Sequence, residues 1–228
     1  MKVIEEDLYL DYLQALLSGG KARCYDIVQR LLSADPGIHE LYVGLFQRSL
    51  YEVGQLWEQN RISVAVEHLA TAITENMLSL VYPRIFGAEH NGRSAVVSCI
   101  ANEYHQIGGR MVADIFEMQG WDGYFLGANT PQTDLFSLLD SKKPDVLALS
   151  LSITQNFTIL YTSIELLRQR YPELPIMVGG QAFLQGGRDI GERYPGVMLV
   201  SSLSGLEQLI SGSPELVSVE YFAQGRSL

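Results

Sequence analysis

The chain has 228 residues, enough for one large domain or two small ones. Hydrophobic residues make up 47% and charged residues 18%, a globular composition that excludes a disordered tail. Sixteen Lys and Arg against 26 Asp and Glu leave a net charge of −10 with no basic run, which argues against a nucleic-acid-binding surface. Cys24 and Cys99 form neither a Cys-x-x-Cys pair nor a disulfide framework, so a cysteine zinc site and a disulfide scaffold are not expected. The first residues, Met1-Lys2-Val3-Ile4-Glu5-Glu6-Asp7, are acidic where a secretory signal is basic. No apolar run approaches the ~18–20 residues of a membrane span. The expected setting is the reducing cytoplasm, with no membrane partner.

Residues 4 to 86 repeat their apolar positions at helical spacing. Leu8, Leu10, Tyr12, Leu13, Leu16 and Leu17 predict a first helix that stops at Gly19-Gly20, a glycine C-terminal signal. A second helix runs from Lys21 through Ile27, Leu31 and Leu32 and ends before Asp35-Pro36-Gly37. The third carries Leu41, Val43, Leu45, Leu50, Val53 and Leu56 and reaches Trp57, and Asn60-Arg61 breaks it. The fourth runs from Ser63 through Ala65, Val66, Leu69, Ile73, Met77 and Leu80 to Tyr82. Four helices with short connections predict an up-down bundle over residues 1–88.

The small, polar stretch from Gly87 to Arg93 reads as a linker, after which the period changes. Short apolar runs at Ala95–Ile100, Gly123–Leu126, Val146–Leu151, Ile176–Val178 and Val197–Val200 predict buried strands. Helical stretches at Ile107–Gln119, Asp134–Asp140, Phe157–Arg170, Asp189–Tyr194 and Leu206–Ile210 lie between and after them. This alternation predicts βαβ units and a five-stranded parallel, flavodoxin-like (Rossmann-like) α/β domain over residues 93–213. Such a domain binds ligands at the carboxyl ends of its strands. Residues 214–228 show no clear pattern and read as a C-terminal tail.

No Gly-x-Gly-x-x-Gly or phosphate-cradling loop comes after the first strand, and neither Gly-x-Ser-x-Gly nor His-Glu-x-x-His occurs. The first strand leads instead into Glu103-Tyr104-His105-Gln106-Ile107-Gly108. A carboxylate two residues before an imidazole can bond one ring nitrogen, fix the tautomer and make the other nitrogen the better metal donor. The third strand ends in Ser150-Leu151-Ser152, with 41 residues between Gly108 and Ser150. The fourth ends in Gly179-Gly180, with 26 residues between Ser152 and Gly179.

Asp/Glu-x-His-x-x-Gly, then Ser-x-Leu, then Gly-Gly at these intervals resembles the signature of the cobalamin-binding domain family, over most of residues 93–210. Two departures are Ser152, where that family usually has Leu, and Glu103 in place of the commoner Asp. The resemblance implies that His105 is the lower axial ligand of cobalt and the one metal ligand, displacing the cofactor's own dimethylbenzimidazole. That base would lie beside the Ser150 hydroxyl, while Gly179 and Gly180 let the nucleotide tail pass close to the backbone. Gly108 would let the loop approach the corrin, and Tyr104 would touch its edge.

The fourth helix adds Glu67-His68, ten residues after Trp57. This spacing is similar to that of light-sensing cobalamin photoreceptor repressors, whose four-helix bundle caps adenosylcobalamin. The resemblance implies that Trp57 is a lid over the adenosyl group and that Glu67 and His68 contact it. Glu58 stands where that family often has a His able to ligate cobalt after photolysis, which leaves a glutamate, water or His68 ligand. No helix-turn-helix segment precedes the first helix, and direct DNA binding is not expected.

The reading that results is a cobalamin-dependent light sensor or cobalamin-responsive regulator, not itself an enzyme. It would hold adenosylcobalamin with His105 on cobalt and signal through self-association, as a homo-oligomer, or through a partner regulatory protein. The alternative is a corrinoid carrier subunit of a methyltransferase system, for which methylcobalamin is the expected form. A storage or delivery protein is a weaker option, and a mutase the weakest.

Overall fold

In a computed structural model, residues 4–211 are described, and the predicted tail at 214–228 lies outside them. The chain divides into two compact units with the boundary between Phe86 and Gly87.

The first unit is all-helical. Helix α1 spans Glu6–Leu17 and α2 spans Lys21–Ala34. Helix α3 is continuous through three segments, Ile38–Glu40, a π-helical Leu41–Gln47 and Arg48–Glu58. Helix α4 spans Val64–Val81 and passes into a 3₁₀ turn over Tyr82–Gly87. The stops are those the sequence signals. Gly19 takes φ +74° after α1, Asp35 φ +53° after α2 and Asn60 φ +56° after α3. The left-handed conformation reverses the chain and lets the next N–H groups satisfy the last carbonyls, as Arg61 N–H does for Leu56 at 2.8 Å. Ser63 caps α4 by accepting from the Val66 N–H.

Two helix faces differ from expectation. On α1 the inward stripe is Tyr9, Tyr12, Leu13 and Leu16, while Leu10 is exposed, because at about 100° per residue it falls outside the arc those four positions share. On α4 the buried stripe is Ala70, Ile73, Thr74, Met77, Leu78 and Val81. Its first turns, with Val64 and Leu69, are exposed.

The second unit is the predicted α/β layer. Strands β1 (Ser94–Cys99), β2 (Asp122–Phe125), β3 (Val146–Ser150), β4 (Ile176–Gly179) and β5 (Val197–Leu199) form one sheet in the order β2-β1-β3-β4-β5. Every pairing is parallel. Helices α5 (Ile107–Met118), α6 (Gln132–Lys142), α7 (Phe157–Arg170), α8 (Ile190–Arg193) and α9 (Leu203–Ser211) supply the crossovers and the last element. Strands β1 and β3 are buried along almost their whole length, as strands covered on both faces must be. One core cluster joins Val96, Leu147, Leu149, Val178 and Leu199 to Leu160 and Ile164 of α7.

The order 2-1-3-4-5 has its topological switch between β1 and β3, where successive crossovers leave the sheet in opposite directions and open a crevice at the strand ends. Register aligns Cys99, Ser150 and Gly179 in one row across β1, β3 and β4. Each of the three motifs thus lies at or directly after the end of one of three adjacent strands.

Candidate functional site

At the switch point the loop after β1 turns at Asn102, with the Glu103 N–H bonded to the Ile100 carbonyl, and carries Glu103, Tyr104 and His105. Glu103 is fully buried, yet it is saturated with donors. Its Oε1 accepts from the His105 ring Nδ1 at 2.6 Å and from the His105 backbone N–H at 3.0 Å. Its Oε2 accepts from the backbone N–H groups of Ser152 at 2.9 Å and Ile153 at 3.1 Å, in the loop after β3. Burial alone would raise the pKa of this carboxyl, but the imidazole and the three backbone donors outweigh it and hold the pKa down to about 2. The ionised carboxylate is acceptor-only, so Nδ1 carries the proton and Nε2 is the nitrogen that can give a lone pair to a metal when the ring is neutral. The His105 side chain is 51% exposed. Beneath it, burial and then the Glu103 charge push the Cys99 thiol up to about 12, which keeps it a neutral thiol.

The donor set fits a cobalt ligand: one imidazole, oriented and made more basic by a buried carboxylate, on the rim of a sheet crevice. Gly108 adds to the fit, since a Cβ there would meet no atom within 4 Å and the surface beside the His loop stays low. It lies inside the first turn of α5, within the helical stretch predicted from Ile107, so its bareness belongs to the helix start rather than to the loop before it.

Ser152 acts through its backbone N–H, so the departure from Leu there leaves the Glu103 contact intact. Ser150 ends β3 between Cys99 and Gly179. A Cβ on Gly179 would come within 2.7 Å of the Val200 carbonyl oxygen. One on Gly180, at φ +118°, would come within 2.3 Å of that of Leu151. The glycine pair is therefore already required by the chain's own neighbouring backbone. Tyr104 is 66% exposed between Glu103 and His105.

The remaining predicted residues lie in the helical unit. Trp57 is exposed near the end of α3, and Glu67 and His68 sit in the first turns of α4. The Glu67 Oε2 meets the His68 Nδ1 at 2.6 Å, while its Oε1 accepts from the Thr71 hydroxyl at 3.0 Å. Together with Val64 and Leu69, Trp57 leaves apolar surface exposed at this end of the unit.

Sequence reasoning missed Ile153, whose N–H completes the Glu103 cage, and three asparagines, Asn102, Asn129 and Asn156, that tie the strand-end loops together. Asparagine in a strand-end turn, as in Gly127-Ala128-Asn129-Thr130-Pro131, is the signal that could have found them.

Residues 93–203 match the family model described as B12 binding domain, and residues 8–82 match a second model with that description. The HTH-type transcriptional repressor CarH of Myxococcus xanthus is 27% identical over 172 residues, covering 75% of this chain and 56% of the repressor. The HTH-type transcriptional repressor CarA of the same organism is 32% identical over 121 residues, 53% of this chain and 41% of that protein. The chain thus spans about half the length of either repressor. Among solved structures, the Methanosarcina barkeri monomethylamine corrinoid protein superposes with a TM-score of 0.78 at 13% identity, over 91% of this chain and 99% of the other. The methanol:cobalamin methyltransferase complex MtaBC of the same organism gives a TM-score of 0.51 at 14% identity, over 98% and 86%. These likenesses show a shared fold, an all-helical part and then a parallel five-stranded sheet.

Proposed function

We propose, for a chain that carries two B12 binding domains and is homologous to the repressors CarH and CarA, that it is a cobalamin-dependent sensor rather than a catalyst. The observation that carries this reading is the Glu103–His105 pair at the β1/β3 switch point. His105 would hold cobalt through Nε2, and Glu103 fixes the tautomer that permits it. Ser150, Gly179 and Gly180 would accommodate the nucleotide tail, and Tyr104 and Gly108 would lie beside the corrin. In the helical unit, Trp57, Glu67 and His68 would supply contacts to an adenosyl group. An exposed indole offers flat apolar area, and a carboxylate can accept from ribose hydroxyls or an adenine amine.

Bound adenosylcobalamin supplies a light-sensitive cobalt–carbon bond. Trp57, Glu67 and His68 would contact an adenosyl group only while it is bound, which gives the helical unit two states to move between. The output is a change in self-association or in docking to a partner protein.

The test is reconstitution in the dark with adenosylcobalamin and then exposure to green light. A change in the absorption spectrum together with a change in elution volume is expected, and constancy of both overturns the sensor reading. Preference for methylcobalamin, with turnover beside a methyltransferase, would assign the chain as a corrinoid carrier instead. Replacement His105→Ala is expected to weaken cobalamin binding and convert the spectrum to that of a base-on or water-ligated form. An unchanged spectrum refutes the axial assignment.

A further inference from the structure

The loop that carries His105 is held from outside as well as by Glu103. Asn102 and Asn129 both adopt left-handed backbone, φ +65° and +50°, one in the loop after β1 and the other in the loop after β2. Two hydrogen bonds join Asn129 to Asn102 and to the residue after it. The Asn102 N–H donates to the Asn129 side-chain Oδ1 at 2.8 Å, and the Asn129 N–H donates to the Glu103 carbonyl oxygen at 2.8 Å. From the third side, the Asn156 Nδ2 donates to the Asn102 carbonyl oxygen at 3.1 Å. Backbone groups of the two residues before Tyr104 are thus bonded to the loops after β2 and β3. The Glu103 carboxylate then fixes His105.

Each bond has a local cause. Asparagine tolerates the left-handed region, and its short side chain places an amide oxygen beside a neighbouring loop. A single acceptor, the Asn129 Oδ1, is therefore linked to the His105 imidazole through Asn102 and Glu103.

We propose that Asn129 is the positioning residue for His105, joining the loop after β2 to the axial-ligand loop and setting how closely the imidazole is held to its ligating pose. The assignment to a cobalt ligand rests on the cobalamin reading above; the positioning itself rests on the hydrogen bonds. Its effect is an entropic one: fewer loop conformations must be given up when the imidazole engages a metal.

Three variants of the full chain separate acceptor from backbone. Asn129→Gly keeps the left-handed backbone and the N–H but removes Oδ1. Asn129→Asp keeps an acceptor oxygen and tolerance of that backbone, and Asn129→Ala loses both features. In the cobalamin-free chain, hydrogen–deuterium exchange at the His105 and Ser152 amides is expected to quicken about fivefold in Asn129→Gly, the worth of one hydrogen bond, and to return to wild type in Asn129→Asp. With adenosylcobalamin in the dark, Asn129→Gly is expected to bind about fivefold more weakly. A larger share of its bound cofactor should show the spectrum of a lower face without nitrogen, again restored by Asp. Faster exchange confined to Asn102, or equal defects in Asn129→Gly and Asn129→Asp, overturns the proposal. If the wild-type chain takes up no cobalamin, the cobalamin reading fails and the exchange measurement alone decides the positioning role.

Discussion

Glu103 illustrates what a buried charge requires. Four N–H groups converge on its two oxygens, so the cost of removing it from water is offset by charge-assisted bonds. Its folded pKa of about 2 lies below the ordinary value of 4.5, so its contribution to stability is fully present above pH 4.5 and is lost as pH falls toward 2. Glu103→Gln offers one acceptor oxygen where there were two and turns an NH₂ toward donors. The variant is expected to be about 3 kcal/mol less stable at pH 7 by urea unfolding. That gap should shrink at pH 3, below 4.5, where the unfolded chain takes up a proton that the folded Glu103 does not. A gap equal at both pH values would show that the charge is not the source. The Glu-x-His pairing was legible in the sequence. That the same carboxylate also holds the loop after β3, 49 residues away, was not, because only the parallel pairing of β1 with β3 makes the two loops neighbours.

At the scale of elements, two glycines of the site have opposite reasons. Gly180 joins β4 to the next turn at φ +118° with the Leu151 carbonyl where a Cβ would stand, so Gly180→Ala combines backbone strain with a clash against main chain. It is expected to cost more than about 3 kcal/mol or to prevent folding, read by thermal melting. Gly108, by contrast, sits in the first turn of α5 with open space beside it. Gly108→Ala should leave the melting temperature unchanged or raise it slightly, since alanine favours helix. The same variant should reduce cobalamin uptake, because the added methyl stands where the corrin is proposed to lie. A matching loss in both variants' melting temperatures would erase the distinction. The helix ends and strand positions were readable because glycine, proline and apolar runs act locally. The π-helical segment of α3 and the outward turn of Leu10 and Leu69 were not, since those depend on which neighbours each face meets.

At the scale of the whole chain, each unit closes its own core, and no helix among the described residues is long and apolar enough to cross a membrane. A fragment beginning at Gly87 has the complete sheet and its covering helices, and is expected to melt in one cooperative transition and to take up cobalamin through His105. It should lose the light response that the proposal assigns to Trp57, Glu67 and His68. A light response retained by the fragment would move the sensing away from the helical unit. By itself the sequence determined the order of the elements, the helical and sheet halves, and the spacing of the three strand-end motifs, because period and turn chemistry are properties of neighbouring residues. Only the tertiary structure decided that those motifs stand on neighbouring strands, that Glu103 is caged by loops distant along the chain, and that three asparagines bind those loops together. Such bonds depend on strand order and register, which long-range packing sets and no local pattern encodes.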